Sequence, residues 1–129
     1  MTIERLTTQL QSDLPISNAV KAGDILYTSQ IPRVPGTLEI LNHADVGSQV
    51  RQTFENLKLV VEAAGGTMAD VTQLTVFLID PEDAVEMNRV YREFFVHPFP
   101  NRATVVVKAL LVPSMKIEIM AQAYIPKHP

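Results

Sequence analysis

The sequence predicts a single α+β domain, a mixed β-sheet with two helices packed on one of its faces. Two observations lead there. Residues 45–64 and 80–97 carry apolar side chains at helical spacing behind recognisable capping signals. The remaining apolar runs are strand-like, in the order strand, strand, helix, strand, helix, strand, strand, which suits helices segregated to one side of a sheet. A chain of 129 residues fits one domain and can bury roughly two thirds of its unfolded surface.

An extra strand has room at Ile3–Leu6. Ala19–Ala22 and Asp24–Gln30 read as two strands about a turn at Gly23-Asp24, the second rich in β-favouring residues through Ile25-Leu26-Tyr27-Thr28-Ser29. Pro32–Gly36 is a loop within the domain, because the segment before it is too short to be a domain of its own. From Asp45 to Ala64, Val46, Val50, Leu57, Val61 and Ala64 share one helical face with Phe54 beside them. Asp45 is the expected N-cap and Gly65-Gly66 the stop, since glycine accepts the left-handed backbone of a helix end. Val71–Ile79 turns apolar on both faces toward its end, which predicts a central, covered strand.

Asp80-Pro81-Glu82-Asp83 opens the second helix with a capping carboxylate, a proline at the first helical position and acids facing the helix dipole. Ala84, Met87, Tyr91 and Phe94 follow on one face, and His97-Pro98 is the expected end because the residue before proline avoids helical geometry. Arg102–Ala109 and Met115–Tyr124 are the last two strands, joined through Pro113-Ser114. With both helices on one face, the other face needs a cover, and a second copy of the chain is the economical one. A hydrophobic fraction of 47% without tryptophan points the same way.

Composition narrows the function. The absence of cysteine excludes a disulfide framework, thiolate metal sites and a cysteine nucleophile. A net charge of −3 with Lys and Arg scattered argues against a sequence-independent grip on nucleic acid. No run is apolar enough to span a bilayer and Met1–Leu10 lacks the pattern of a signal peptide, so a cytoplasmic protein is expected. His43, His97 and His128 are unrelated in spacing, and no helix-spaced His/Glu pair suggests a metal. No Gly-x-Ser-x-Gly elbow marks Ser17 or Ser29 as a nucleophile, although both are candidate cleft hydroxyls. Asn88, Tyr91, Phe94 and Phe95 read as structural residues of the second helix and its end.

Side chains alternate along a strand. Arg102, Thr104, Val106 and Lys108 therefore share a face; Met115, Ile117, Ile119, Ala121 and Ala123 form an apolar one, leaving Lys116, Glu118, Met120, Gln122 and Tyr124 on its reverse. Arg102 opens its strand directly after Phe99-Pro100-Asn101, which presents the guanidinium from a rigid backbone. That group is the one best shaped to hold a carboxylate through two parallel hydrogen bonds. From the residues alone, an arginine there is most often part of a surface or interface ion pair, and a mid-strand glutamate such as Glu118 a solvated residue or an ion-pair partner.

The stretch Phe99-Pro-Asn-Arg-Ala-Thr-Val-Val-Val-Lys-Ala-Leu, with Met115-Lys-Ile-Glu-Ile after it, resembles the signature of the Rid family, the YjgF-like enamine/imine deaminases. Pro15-Ile-Ser-Asn-Ala-Val, Tyr27-Thr-Ser-Gln-Ile-Pro, Gln52-Thr-Phe-Glu-Asn-Leu, Val61-Glu-Ala-Ala-Gly-Gly-Thr-Met-Ala-Asp-Val and Met87-Asn-Arg-Val-Tyr-Arg-Glu-Phe-Phe resemble further family segments in order, over nearly the whole chain. The Val61–Val71 stretch also resembles the branch acting on aminoacrylate-type intermediates of pyrimidine breakdown. The resemblance implies a chorismate-mutase-like α+β fold, a homotrimer whose sheets form a central barrel, and ligand clefts between subunits. It implies that Arg102 binds the substrate carboxylate and that Glu118 acts on the attacking water. It implies short-lived 2-imino acids such as 2-aminoacrylate as substrates, 2-keto acids and ammonia as products, and no metal or organic cofactor.

Ser29, Gln30, Thr104, Ile16 and Ser17 are the further expected lining residues. Three of these positions depart from the family pattern. Ile16 stands where a tyrosine is common, which points to a more apolar or slower pocket. Ser29 and Gln30 are adjacent where a glycine often intervenes, and Thr104 replaces a common cysteine or serine. Two other readings stand beside the deaminase: a trimer that binds 2-keto acids without turnover, and an RNA-cleaving or translation-inhibiting relative, against which the acidic balance counts.

Overall fold

A computed structural model describes residues 2–42 and 45–127. The elements are β1 (Ile3–Arg5), β2 (Ala19–Ala22), β3 (Ile25–Gln30), α1 (Val46–Ala63), β4 (Val71–Leu78), α2 (Ala84–Phe94), β5 (Asn101–Val106) and β6 (Ile117–Tyr124), with short 3-10 turns at Met68–Asp70 and Pro81–Asp83. The strands form one mixed sheet in the order β1-β2-β3-β6-β4-β5, as the α+β reading predicts. Only β4 and β5 run parallel, and α2 supplies the crossover that a parallel pair needs. β4 is internal, between β6 and β5.

The capping chemistry follows the sequence. The Asp45 carboxylate accepts from the Ser48 amide at 2.7 Å, satisfying one of the free donors at the start of α1. Gly65 ends that helix at φ +93°, a conformation costly for any residue with a Cβ. Asp80 accepts from the Glu82 amide at 2.9 Å, with Pro81 behind it.

Both helices cover one face of the sheet. Val50, Phe54, Leu57, Val60 and Val61 of α1 and Met87 and Val90 of α2 are buried with Leu26, Leu74, Val76, Leu78, Ile117 and Ile119 of the sheet. Fully burying each such side chain contributes roughly 1.5–3 kcal/mol, so this one core carries the fold. Outside it, Arg51 and Glu93 pair α1 to α2, and Arg89 pairs with Glu86 and Glu93. The opposite face is open in the single chain, with Tyr27, Val105, Met120 and Tyr124 exposed on it. Among the described residues no helix is long and apolar enough to cross a membrane.

Several boundaries differ from expectation. α2 ends at Phe94, three residues before His97, because Phe95 takes an extended backbone that turns its ring into the core. There it stacks on Tyr91 at 4.5 Å and meets Phe54 edge-on at 5.8 Å. β5 stops at Val106 rather than Ala109: the Val107 amide makes a last bond to the Leu78 carbonyl at 2.8 Å, and β4 ends there. β6 starts at Ile117 rather than Met115, because buried Gln49 diverts the chain. Gln49 donates to the Ser114 carbonyl at 2.8 Å and accepts from the Lys116 amide at 2.8 Å. Asn56 does the same for the earlier loop, donating to the carbonyls of Ile31 at 3.0 Å and Arg33 at 2.8 Å. These buried amides satisfy backbone groups that no strand pairs, and so fix both loops against α1.

Candidate functional site

β5 is an edge strand, and its register with β4 sets Arg102 opposite Leu74 and Thr104 opposite Val76. Leu74 and Val76 face the helices, so Arg102 does too. α2 passes above it and presents Met87 and Tyr91, four residues apart on one helical face. One Arg102 Nη lies 3.5 Å from the Met87 sulfur, and Cζ lies 4.4 Å from the centre of the Tyr91 ring. That contact is a cation–π arrangement on a ring that is itself fixed. Tyr91 is buried among Phe54, Phe95 and Phe99, and burial pushes its phenol above the ordinary range while the Arg102 charge opposes that shift.

A recess of about 270 Å³ opens beside the guanidinium, lined by Asn88, Tyr91, Arg92, Phe99, Pro100 and Arg102. Among the described residues, Glu86 and Glu93 are engaged with Arg51 and Arg89, and Arg102 has no carboxylate partner. The result is a half-buried cation on an aromatic floor, open to an incoming anion.

Glu118 stands on the other side of the sheet. Its register partner is Phe77, one residue out of phase with buried Val76 and Leu78. The carboxyl is half-buried, and desolvation pushes its pKa up. On the same open face a groove of about 290 Å³ runs past Ser17, Tyr27, Ser29, Thr75 and Met120. Ser29 pairs in register with Met120, two residues along β6 from Glu118.

The expected residues therefore fall into two groups on opposite faces. Arg102 and Thr104 stand on the helix side at the sheet edge; Glu118, Ser29 and Ser17 stand on the open side. Ile16, 61% exposed, precedes Ser17 in the loop before β2. Gln30 is different: its side chain is buried, donating to Asn18 at 3.0 Å and to Thr28 at 2.8 Å, so it braces the end of β3. Of the histidines, His97 is exposed beside Phe99, and His43 and His128 lie outside the described residues.

Sequence reasoning missed the far wall of the recess. Asn88 and Tyr91 read from the sequence as helix structure, and nothing there singles out Arg92, yet all three line it. The spacing of Asn88 to Arg92 was the available signal, since residues four apart occupy one helical face. It gave no hint that this face would meet β5.

Residues 7–125 match the family model described as endoribonuclease L-PSP. The 2-iminobutanoate/2-iminopropanoate deaminase of Escherichia coli is 42% identical over 113 residues, covering 84% of this chain and 86% of that protein. A RutC family protein of Pyrococcus horikoshii is 44% identical over 111 residues, covering 85% of this chain and 86% of its own. The crystal structure of Escherichia coli TdcF with bound serine superposes with a TM-score of 0.79 at 38% identity, over 88% of this chain and 90% of that one.

Proposed function

We propose an activity from one premise: the chain belongs to the Rid family, the family whose model is described as endoribonuclease L-PSP. The activity is hydrolysis of reactive 2-imino acids and their enamine tautomers to 2-keto acids and ammonia. The observation that carries this reading is Arg102, half-buried on the Tyr91 ring beside an open recess, with no carboxylate partner among the described residues. Relatives named as imine deaminases, and one relative with serine bound, support a small carboxylate-bearing ligand.

The reaction adds water across the C=N bond. The water oxygen becomes the keto oxygen, the carbon–nitrogen bond breaks, and the nitrogen leaves as ammonia carrying both water hydrogens. Arg102 holds the substrate carboxylate through a two-pronged charge-assisted hydrogen bond and so fixes the position of the imine carbon. Glu118 places the water and moves a proton to the departing nitrogen. Desolvation raises its pKa, so it holds a proton more readily than a solvated carboxylate does.

Arg102 and Glu118 face opposite ways, so a complete site takes Arg102 from one subunit and Glu118 of the partner subunit. We read the protein as a homotrimer in which the open sheet face is covered by neighbouring copies. Ser17, Ser29 and Thr104 then offer hydroxyls at the cleft, Ile16 an apolar wall, and Gln30 the brace that holds Ser29. No metal or organic cofactor is required by this chemistry.

The test is to generate 2-aminoacrylate from serine with a dehydratase and follow its conversion to pyruvate, with wild type and Arg102→Ala in parallel. Acceleration by wild type and not by the variant supports the reading. Tight 2-keto acid binding with no acceleration of any imine would replace it by a ligand-binding trimer.

A further inference from the structure

The recess that holds Arg102 contains a second guanidinium. Arg92 lies one residue beyond Tyr91 on α2 and lines the same space, with the Asn88 amide one turn before it. Among the described residues, no acidic side chain lines the recess. Arg92 is exposed, and its polar contact is one long bond, 3.3 Å, to the Asn88 carbonyl. The acids nearest in sequence on α2 are committed elsewhere: Glu93 to Arg51 and Arg89, and Glu86 to Arg89. A chain with net charge −3 thus sets two arginines without carboxylate partners, among the described residues, around one small recess.

One carboxylate uses one of these cations. Arg102 is the fixed one, stacked on Tyr91 and touching Met87. Arg92 extends from the helix surface and is free to meet a charge carried further along the ligand. We propose that Arg92 is a specificity-determining residue that favours 2-imino acids with a second carboxylate, the imines of acidic amino acids. Arg102 takes the carboxylate next to the imine carbon and Arg92 the one at the end of the side chain. This rests on the deaminase reading and adds the substrate class. The reaction is the same hydrolysis, giving a 2-keto dicarboxylic acid and ammonia. The volume of about 270 Å³ lies just under the roughly 300–1,000 Å³ of drug-sized pockets and suits such a metabolite.

The size of the effect follows from exposure. An exposed guanidinium–carboxylate pair changes an affinity by up to about fivefold, and salt screens it. That is enough to bias the choice between two imines, and too little to exclude the smaller one.

The experiment uses the assembled protein with two stable probes, 2-oxobutanoate with one carboxylate and 2-oxoglutarate with two. Binding is titrated at low and high salt for wild type, Arg92→Gln and Arg92→Lys. In parallel, imines are generated from alanine and glutamate by an amino-acid oxidase, and kcat/KM is compared. Wild type is expected to favour the dicarboxylate by about fivefold at low salt and less at high salt. Arg92→Gln should bring the ratio near one, and Arg92→Lys, which keeps the charge, should restore most of it. A ratio unchanged in Arg92→Gln overturns the proposal and leaves the deaminase reading intact. So does a weakened assembly with the ratio unchanged, because Arg92 would then pair with an acid on a second copy. Failure to bind either probe, together with failure to accelerate either imine, overturns the deaminase reading and this proposal with it.

Discussion

Arg102 and Glu118 face away from each other across one sheet: Arg102 stands opposite Leu74 on the helix-covered face, and Glu118 opposite Phe77 on the open face. In the single chain they open onto different faces, and the proposed cleft takes them from two copies. Two variants, Arg102→Ala and Glu118→Gln, are therefore each expected to be inactive alone and active when mixed. If each cleft takes one residue from either neighbour, random assembly of an equal mixture leaves about a quarter of the clefts intact. Unfolding and refolding the mixture, then assaying imine hydrolysis, should return about that share of wild-type activity. A mixture that stays inactive would mean that one chain supplies both groups.

Arg102 is expected to be sensitive to shape as well as charge. Its Cζ lies over the Tyr91 ring, 4.4 Å from the ring centre, beside the open recess. Lysine keeps the charge and loses both the planar fork and the stacking. We expect Arg102→Ala to lower kcat/KM by on the order of a hundredfold and Arg102→Lys by about tenfold, with melting temperatures close to wild type. If Arg102→Lys retained full activity, a point charge would suffice and two-pronged recognition would be wrong.

Glu118 predicts opposite effects on activity and stability. Desolvation raises its pKa, so the folded chain favours the protonated form. Below the unfolded value, about 4.3, the group is neutral in both states and burial of its charge costs nothing. As pH rises through the raised folded value, that advantage is lost and the ionised carboxylate weighs against the fold. Glu118→Gln should therefore melt higher than wild type at pH 7 to 8, with the difference closing toward pH 4. Its activity should fall by about a hundredfold or more, since proton transfer by a placed acid or base contributes roughly 10²–10⁴. An equal melting point at pH 8 would show that Glu118 is solvated in the assembled protein.

The local elements were legible because local rules govern them. The Asp45 cap, the Gly65 stop, the Asp80-Pro81 start and the alternation along Ile117–Tyr124 depend on neighbours within four residues, and each appears in the fold. Parity placed Arg102 with Thr104, and Glu118 with Met120, and the strand registers agree. The strand order was not legible, because nothing in β6 states that it lies between β3 and β4. For the same reason the recess was only half visible. Arg102 stood out by its neighbours in sequence, whereas Asn88 and Arg92 line the recess only because α2 crosses back over β5. The late start of β6 came from one distant side chain, Gln49, whose partners lie more than sixty residues away.

That side chain gives the last prediction. Gln49 is fully buried in α1, with its Nε2 on the Ser114 carbonyl and its Oε1 on the Lys116 amide, both at 2.8 Å. Among the described residues it is the only side chain hydrogen-bonded to these two backbone atoms, and it fixes the chain just before Ile117 and Glu118. Leucine has similar bulk and no hydrogen-bonding atoms, so Gln49→Leu keeps the packing and leaves a backbone donor and an acceptor unpaired. Each such loss costs about 1–3 kcal/mol, less where water reaches the loop. We expect a net loss of about 2–3 kcal/mol and a melting point lower by about 10 °C. Glutamate separates the two bonds: its carboxylate still accepts from Lys116 and cannot donate to Ser114. Gln49→Glu should also bury a charge and so be at least as damaging at pH 8. Limited proteolysis provides the local readout, with cleavage within residues 107–116 rising in both variants before the rest of the chain opens. If Gln49→Leu melts with wild type and that segment stays protected, the loop is held by its own turn at Val112–Met115, and Gln49 only fills space.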